Sequence, residues 1–386
     1  MTSACQPQKG CPLSGRCGGC TLSAMPYEEQ LLRKHAEIKK LLGRYGRVSP
    51  VVGMDQPLHY RNKVHGALAT DRRGLPISGV YAAGTHRVVP VTNCLLEDEA
   101  AGAVIRTILM MLPKYKLAVY NEDTKKGFLR HVLIRTGANT GQMLVVLVAS
   151  SLTFPGGKAF VKELIAQHPA ITSVVLNENR RQTSMVLGQK ETVLYGEGYL
   201  TDTLCGLTFR ISPQSFYQVN ARQAEVLYRT AMDLAGLTGQ ETLLDAYCGT
   251  GTIGLCAAAR AKEVLGVELN PDAVQDAKAN ARLNHIRNAR FLCDDAGRFM
   301  RVLAKEGTAP DVVIMDPPRS GSDRNFLQSL MALSPKRVVY VSCNPVTQAR
   351  DLAILTKGGY RVEKIVPVDM FPMTEHCECV VGMRKG

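Results

Sequence analysis

The stretch ETLLDAYCGTGTIGLCAAAR, from Glu241 to Arg260, sets the fold of the second half of the chain. An apolar run typical of a buried strand leads into a glycine-containing loop, and a helix-like run follows. Gly249 and Gly251 allow the loop to turn tightly and its backbone to approach a ligand. Asp245 stands at the end of the strand. This order of elements is typical of a nucleotide-binding α/β domain.

The alternation of strand and helix continues to the end of the chain. Between residues 211 and 386, strand-like runs recur at intervals of about 20 to 30 residues. They include EVLGVELN, ARFLCDD, DVVIMDPP, KRVVYVSCNP and RVEKIVPVDMFP. The spacing predicts βαβ units and a parallel, doubly wound, Rossmann-like sheet. Ligands of such sheets bind at the carboxyl ends of the strands.

The first 210 residues have a different texture. Residues 1–22 are rich in cysteine and glycine, and residues 55–210 read as strands parted by Gly, Asn and Asp turns, with one helix among them. We therefore expect two domains. The first, residues 1–210, is a β-rich central region that carries an N-terminal cysteine segment. The second, residues 211–386, is the Rossmann-like domain.

A helix is predicted near residues 27–46, where it can pack on the second domain. Apolar residues recur at helical spacing along it, and Gly43 or Gly46 is positioned to end it. Four basic residues most simply form a solvated face, with contact to RNA as the alternative. They are Arg33, Lys34, Lys39 and Lys40.

The charge of the chain is concentrated near its N-terminus. The 386 residues carry a net charge of +13, and the first 135 hold 20 Lys and Arg against 10 Asp and Glu. Such an excess favours a polyanionic partner such as RNA, although a merely soluble basic protein is the alternative. No apolar run is long enough to span a bilayer and no signal peptide opens the sequence. We expect a monomeric cytoplasmic protein without membrane contact.

Acidic residues end the strands that follow the glycine loop. Glu268 is placed to accept hydrogen bonds from ribose hydroxyls, and Asp294 and Asp295 end the next strand. The spacing G-T-G-T-I-G differs from the pyrophosphate pattern of dinucleotide sites. An acidic lining suits a cationic sulfonium that carries no phosphate. S-adenosyl-L-methionine is the expected cofactor, with NAD or a structural role as the alternative.

A cysteine stands where a further strand enters a loop. Cys343 lies in VVYVSCNPVTQ, between a buried run and an Asn-Pro turn, and Asp316 occupies the neighbouring strand end in IMDPPRSG. Carbon methylation of a pyrimidine needs a thiolate that adds to C6 and a base that removes the C5 proton. Cys343 and Glu378 offer these two groups. Arg319 is a candidate for lowering the pKa of the thiol, and a core role for Cys343 is the alternative.

Five ordered motifs resemble those of the RNA uracil-C5-methyltransferase family, which makes 5-methyluridine in ribosomal and transfer RNA. The motifs are SPQSFYQVN, DAYCGTGTIGL, DPPRSG, YVSCNP and DMFPMTEHCE. The resemblance implies that Cys343 is the nucleophile and Glu378 the general base. Tyr247 and Thr252 stand where family members often have Phe and Asn. The resemblance also implies a set of cofactor contacts, namely Gln218, Tyr247, Thr252, Glu268, Asp295 (or Asp294) and Asp316.

The N-terminal cysteines suggest a metal centre. The spacing C-x5-C-x2-C of Cys11, Cys17 and Cys20, with Cys94 remote from them, can hold zinc or an iron–sulfur cluster. Three clustered thiols with a distant fourth favour the cluster, because zinc ribbons usually pair two short knuckles. Ribosomal-RNA members of the family resemble this chain and carry a 4Fe-4S cluster on the same spacing. Cys5 is expected to be unliganded.

The sequence therefore predicts S-adenosylmethionine-dependent methylation of uridine C5 in RNA through a covalent Cys–C6 adduct. The 23S ribosomal RNA is the preferred target because the cluster motif is present. A transfer-RNA enzyme is the nearest alternative, and a non-catalytic iron–sulfur RNA-binding protein is the alternative from another class. A DNA cytosine-C5 enzyme is disfavoured because its cysteine typically sits in a Pro-Cys pair, which is absent here.

Overall fold

A computed structural model describes residues 10–82, 84–181 and 185–386, so Cys5 lies outside the described residues. The helices are α1 (Tyr27–Leu42), α2 (Glu99–Lys114), α3 (Gly157–Gln167), α4 (Ala221–Ala235), α5 (Thr252–Ala257), α6 (Pro271–Leu283), α7 (Ala296–Lys305), α8 (Arg324–Leu333) and α9 (Pro345–Lys357). The strands of the first half are β1 (Lys63–Thr70), β2 (Pro76–Tyr81), β3 (Val88–Pro90), β4 (Leu129–Thr136), β5 (Met143–Ala149), β6 (Ile171–Glu178), β7 (Lys190–Tyr195), β8 (Leu200–Leu204) and β9 (Leu207–Ile211). Those of the second half are β10 (Thr242–Ala246), β11 (Glu263–Glu268), β12 (Ala289–Cys293), β13 (Val312–Met315), β14 (Arg337–Ser342), β15 (Tyr360–Val368) and β16 (Glu378–Lys385).

The first seven-stranded sheet has the order β3-β2-β1-β4-β5-β6-β7. Its central strands β4 and β5 are buried along their whole length. The sequence of β5, MLVVLVA, offers apolar side chains to both faces, whereas β4 also buries polar side chains such as Arg130 and Arg135. Strands β5 and β6 are parallel, and α3 makes the crossover that a parallel pair requires. A separate hairpin of β8 and β9 leads into the second half of the chain.

The second sheet has the order β12-β11-β10-β13-β14-β16-β15. Strands β10 to β14 pair in parallel with helices between them, which confirms the predicted Rossmann-like α/β fold. The sheet is not wholly parallel, however, because β16 runs antiparallel to both β14 and β15. Strand β16 follows β15 after a turn without a helix, so the chain must reverse its direction at this edge.

Helix α1 packs on the second sheet rather than on the first. It ends at Leu42, and Gly43 follows as the sequence predicts. Ile38 and Leu42 are buried in the apolar core that also contains Leu244 and Val313. Short bridges from Val48 to Ile365 and from Val52 to Val368 extend this contact along β15.

The expected solvated basic face on α1 is wrong for one residue. Lys34 is buried, and its Nζ lies 2.7 Å from Oδ1 of Asp369. A buried ammonium needs such a partner because an unpaired charge in a low-dielectric interior is very costly. Arg33, Lys39 and Lys40 are exposed as expected.

Among the residues that the structure describes, no helix is long and apolar enough to cross a membrane.

Candidate active site

The antiparallel pairing of β14 and β16 brings Cys343 and Glu378 together. Ser342 pairs with Cys379, so Cys343 and Glu378 are the next residues on the two strands. Cys343 is half-buried at the carboxyl end of β14, and Glu378 is 4% exposed. Gln348 joins the two strands, since its Nε2 donates to the carbonyls of Tyr340 and Cys379 at 3.0 and 3.1 Å.

Burial disfavours the charged forms of the groups at this edge. It raises the pKa of Glu378 to about 8, and the nearby Asp316 adds to the effect. Burial also raises the pKa of Asp316. The pKa of Cys343 is raised to about 11, first by burial and then by the charges of Glu378 and Asp316, while Arg319 acts in the opposite direction. The site therefore holds a proton-binding carboxyl beside a thiol that needs help to ionise.

Arg319 is held over the entrance to this site. Its carbonyl accepts a hydrogen bond from Asn344 Nδ2 at 2.9 Å, and its Nη2 lies 2.9 Å from His376 Nδ1. The side chains of Arg319 and His376 line a cavity of about 430 Å³. Cys343, Val346 and Lys34 also line it.

The glycine loop and the ends of β10 and β11 form a second polar edge. Glu268 accepts hydrogen bonds from the backbone N–H groups of Gly249 at 3.1 Å and Asn270 at 2.8 Å. Asp245 is fully buried, and its Oδ2 accepts from the N–H of Gly254 at 2.8 Å. Its Oδ1 finds no hydrogen-bond partner among the described residues. An unpaired buried carboxylate oxygen fits a site for a ligand that carries donors or positive charge.

The remaining predicted cofactor contacts are arranged less uniformly. Asp295 caps α7 by accepting from the N–H of Arg298 at 2.7 Å, whereas Asp294 is paired with the side chain of Arg298. The hydroxyl of Thr252 lies 3.2 Å from that of Tyr228. The ring of Tyr247 packs on that of Phe326, with centroids 4.9 Å apart. Gln218 is buried within the loop that precedes α4.

The four cysteines of the predicted cluster line one cavity of about 420 Å³. Burial, and then the charges of Cys94, Cys17 and Cys11, raise the pKa of Cys20 to about 12. Arg61 lines the same cavity and acts in the opposite direction. In the described ranges, no group of three or more His, Cys, Asp or Glu side chains is placed so as to hold a metal ion.

Sequence reasoning missed the groups that fix the loop before Glu378. Lys34, Gln30 and Asp369 contact one another or this loop, although α1 and the loop are far apart in the sequence. The signal available was the acidic residue in DMFPMTEHCE, which stands at a strand end and required a cationic partner.

Fold and site together define an S-adenosylmethionine-dependent methyltransferase. The chain belongs to the RNA uracil-C5-methyltransferase family. A family model described as tRNA (uracil-5-)-methyltransferase matches residues 183–386. An uncharacterized RNA methyltransferase of Bacillus cereus is 42% identical over 380 residues, which cover 97% of this chain and 82% of that protein.

Two further comparisons agree with this family. An uncharacterized RNA methyltransferase of Halalkalibacterium halodurans is 42% identical over 375 residues, covering 96% of this chain and 82% of the relative. The crystal structure of a Pyrococcus abyssi tRNA (uracil-54, C5)-methyltransferase in complex with S-adenosyl-L-homocysteine superposes with a TM-score of 0.79. It is 28% identical, and the match covers 96% of this chain and 86% of that one.

Proposed function

We propose that this protein methylates C5 of a uridine in 23S ribosomal RNA through a covalent adduct between Cys343 and uracil C6. The observation that carries the proposal is the strand register that sets Cys343 beside Glu378, with Ser342 paired to Cys379. Carbon methylation of uracil needs a nucleophile and a base within reach of adjacent ring atoms. A thiol and a buried carboxyl at one sheet edge meet that requirement.

The reaction follows from these two side chains. The thiolate of Cys343 adds to C6, and the electron pair displaced from the C5–C6 double bond makes C5 nucleophilic. S-adenosylmethionine, when bound, would supply the electrophilic methyl group to which C5 bonds, and its sulfonium would leave as the neutral thioether S-adenosylhomocysteine. Glu378 as a carboxylate then takes the proton from the methylated C5, the double bond re-forms, and the thiolate of Cys343 leaves C6. No net electrons are transferred, so the reaction needs no redox partner.

The same site can prepare its own thiol. Protonation of Glu378 removes a negative charge next to Cys343, and Arg319 favours the thiolate. Arrival of a cationic methyl donor at this edge favours ionised carboxylates, which returns Glu378 to the form that a base requires. Gln218, Tyr247, Thr252, Glu268, Asp295 and Asp316 are proposed to hold the donor.

We also propose that Cys11, Cys17, Cys20 and Cys94 hold a 4Fe-4S cluster. Their common cavity supports this assignment. A cluster of four irons is wider than one ion, so its ligands stand further apart than those of a single metal. The cluster would tie the N-terminal segment to the β-rich region of residues 1–210, which we assign to RNA binding. Residues 211–386 form the proposed methyltransferase domain of a monomeric cytoplasmic enzyme.

Transfer RNA is the second candidate substrate. The matching family model and the Pyrococcus abyssi neighbour are both described as tRNA enzymes. The two substrates are separated by incubating the purified protein with methyl-labelled cofactor and either 23S ribosomal RNA or transfer RNA. Mass mapping of the product should find 5-methyluridine in 23S ribosomal RNA. Label in transfer RNA alone would replace the substrate, and label in neither would remove the proposed activity.

A further inference from the structure

The segment of residues 369–377 connects β15 to β16 and delivers Glu378 to the active site. It also carries His376, which contacts Arg319 at the entrance of the cavity. Because Glu378 is the first residue of β16, the conformation of this segment decides where its carboxyl stands relative to Cys343.

Lys34, on helix α1, holds the start of this segment. Its Nζ donates to Asp369 Oδ1 at 2.7 Å and to the carbonyl of Phe371 at 3.0 Å. The side chains of Lys34 and Asp369 are only 1% and 0% exposed. Asp369 is engaged further, since it accepts from the hydroxyl of Tyr27 at 2.9 Å and from the N–H of Phe371 at 3.2 Å.

A second set of contacts from the same part of the chain holds Met373. Gln30 accepts from the N–H of Met373 at 2.8 Å, while the N–H groups of Thr21 and Leu22 donate to its carbonyl at 3.1 and 3.0 Å. Met373 has a φ of +66°, a conformation that a residue with a side chain adopts at a cost. These hydrogen bonds offset the conformational cost of the positive φ of Met373, and they fix a turn five residues before Glu378.

A buried ion pair of this kind is a poor source of stability. The desolvation of two charges largely cancels their attraction, and apolar replacements are often as stable. The pair instead fixes the conformation of the segment, since the Lys34 ammonium must contact the Asp369 carboxylate and the Phe371 carbonyl at the same time. Lys34 also lines the cavity that contains Cys343.

We propose that Lys34 is a positioning residue for proton removal, acting through Asp369 and Phe371 to set the place of Glu378. The inference rests on the proposed function. It assigns to α1 a part in the reaction that depends on its buried lysine and leaves the exposed basic residues of the helix to RNA or solvent.

The test compares Lys34→Met, Lys34→Arg and the double variant Lys34→Met/Asp369→Asn with the parent enzyme. Lys305→Met, which removes an exposed lysine at the far end of α7, is the matched control. Each protein is melted, titrated with S-adenosylhomocysteine, and mixed with substrate RNA in single turnover. Denaturing gels then separate the covalent methylated adduct from released product.

Lys34→Met alone leaves the buried Asp369 carboxylate without its cationic partner, so this variant should melt at a lower temperature. The double variant removes both charges and should recover most of the melting temperature. In both, release of the methylated RNA should slow by about a hundredfold, because a small displacement of a catalytic group has that effect. Adduct should accumulate while affinity for S-adenosylhomocysteine stays at the parent value, and Lys34→Arg should restore part of the release rate.

Recovery of the release rate together with the melting temperature in the double variant would overturn the inference and leave the pair a structural one. Slow release without any adduct would also overturn it, since the defect would then precede methyl transfer. A parent enzyme that methylates no RNA and forms no adduct fails differently, because it removes the proposed function and with it the reaction that Lys34 is said to serve.

Discussion

Ser342 pairs with Cys379 across the antiparallel junction of β14 and β16, and this single register fixes which thiol and which carboxyl meet. A shift of one residue would exchange every side chain between the two faces of the sheet. The junction therefore selects Cys343 and Glu378 from a chain that contains twelve cysteines.

The two residues should fail in different ways. Cys343→Ala should form no adduct and no product, because the proposed mechanism has the thiolate make the first bond. Glu378→Gln should still add and transfer the methyl group, but release should slow by about 10²- to 10⁴-fold, the usual contribution of a general base. Labelled RNA trapped with the protein on denaturing gels measures both. Absence of adduct in folded, cofactor-binding Glu378→Gln would remove the base assignment.

Stability should depend on pH through Glu378. Its pKa in the folded protein is raised from 4.5 to about 8 by burial, so the folded state holds the proton more tightly than the unfolded chain. The stabilising contribution of the protonated carboxyl is present below pH 4.5 and is lost as the pH rises to 8.

Glu378→Gln keeps a neutral side chain at every pH. Its free energy of unfolding should therefore rise relative to that of the parent, by up to about 5 kcal/mol, as the pH increases across this window. Chemical unfolding of both proteins at several pH values provides the comparison. Glu306→Gln, at an exposed glutamate, should show no such trend. A constant difference between parent and Glu378→Gln would mean that Glu378 is ionised in the folded protein.

The glycine loop offers a matched pair of substitutions. Gly249 and Gly251 both have positive φ, so alanine is strained at either position. A Cβ at Gly251 would also meet the ring of Phe291 at 2.9 Å, whereas one at Gly249 has nothing within 4 Å. Gly251→Ala should therefore weaken binding of S-adenosylhomocysteine by more than tenfold relative to Gly249→Ala, a difference of about 1.4 kcal/mol. Calorimetric titration would show equal losses if the ring of Phe291 yields.

The protein should be brown when it is purified without oxygen, because the four cysteines are proposed to bind an iron–sulfur cluster. We expect about four irons and matching sulfide per chain. Cys20→Ser should lose iron, while Cys293→Ser, an exposed cysteine elsewhere, should keep it. One tightly bound zinc without sulfide would contradict the cluster assignment.

RNA affinity should depend on exposed basic residues of the N-terminal part. Lys39, Arg72 and Arg73 are exposed there, whereas Lys34 is buried and drops out of this group. Reversal of these three charges should reduce the magnitude of the slope of log affinity against log salt concentration by about 2 to 3, since each phosphate contact releases counterions. Reversal of Lys305, Lys357 and Arg361 changes the net charge equally and serves as the control. Equal effects of the two triple variants would point to a nonspecific charge effect.

Local patterns were sufficient to predict the Rossmann-like sheet. Each strand of β10 to β14 is an apolar run followed by a turn signal, and the Gly249–Gly251 loop joins strand to helix within a few residues. Helix α1 was predicted to end at Gly43 or Gly46, and it ends at Leu42, directly before Gly43. Such features depend on neighbours in the chain, which is why they can be read from sequence alone.

The antiparallel edge and the burial of Lys34 could not be read in the same way. Strand β16 is a buried run that begins with Glu378, and nothing in its local sequence gives the direction in which it pairs. Lys34 looks like its neighbours on a basic helix face, and its partner Asp369 lies 335 residues away. Long-range pairing overrides a local pattern whenever a charge finds its counterion inside the core.

The attachment of the N-terminal segment to β15 has a consequence for synthesis of the chain. Val48 and Val52 bridge to Ile365 and Val368, so this segment cannot form these contacts until the ribosome has synthesised β15, more than 300 residues later. Domains otherwise fold in the order in which they emerge. Residues 48–52 are thus secured later than their place in the sequence suggests, and the contacts of Thr21 and Leu22 with Met373 likewise form only after residue 373 has been synthesised.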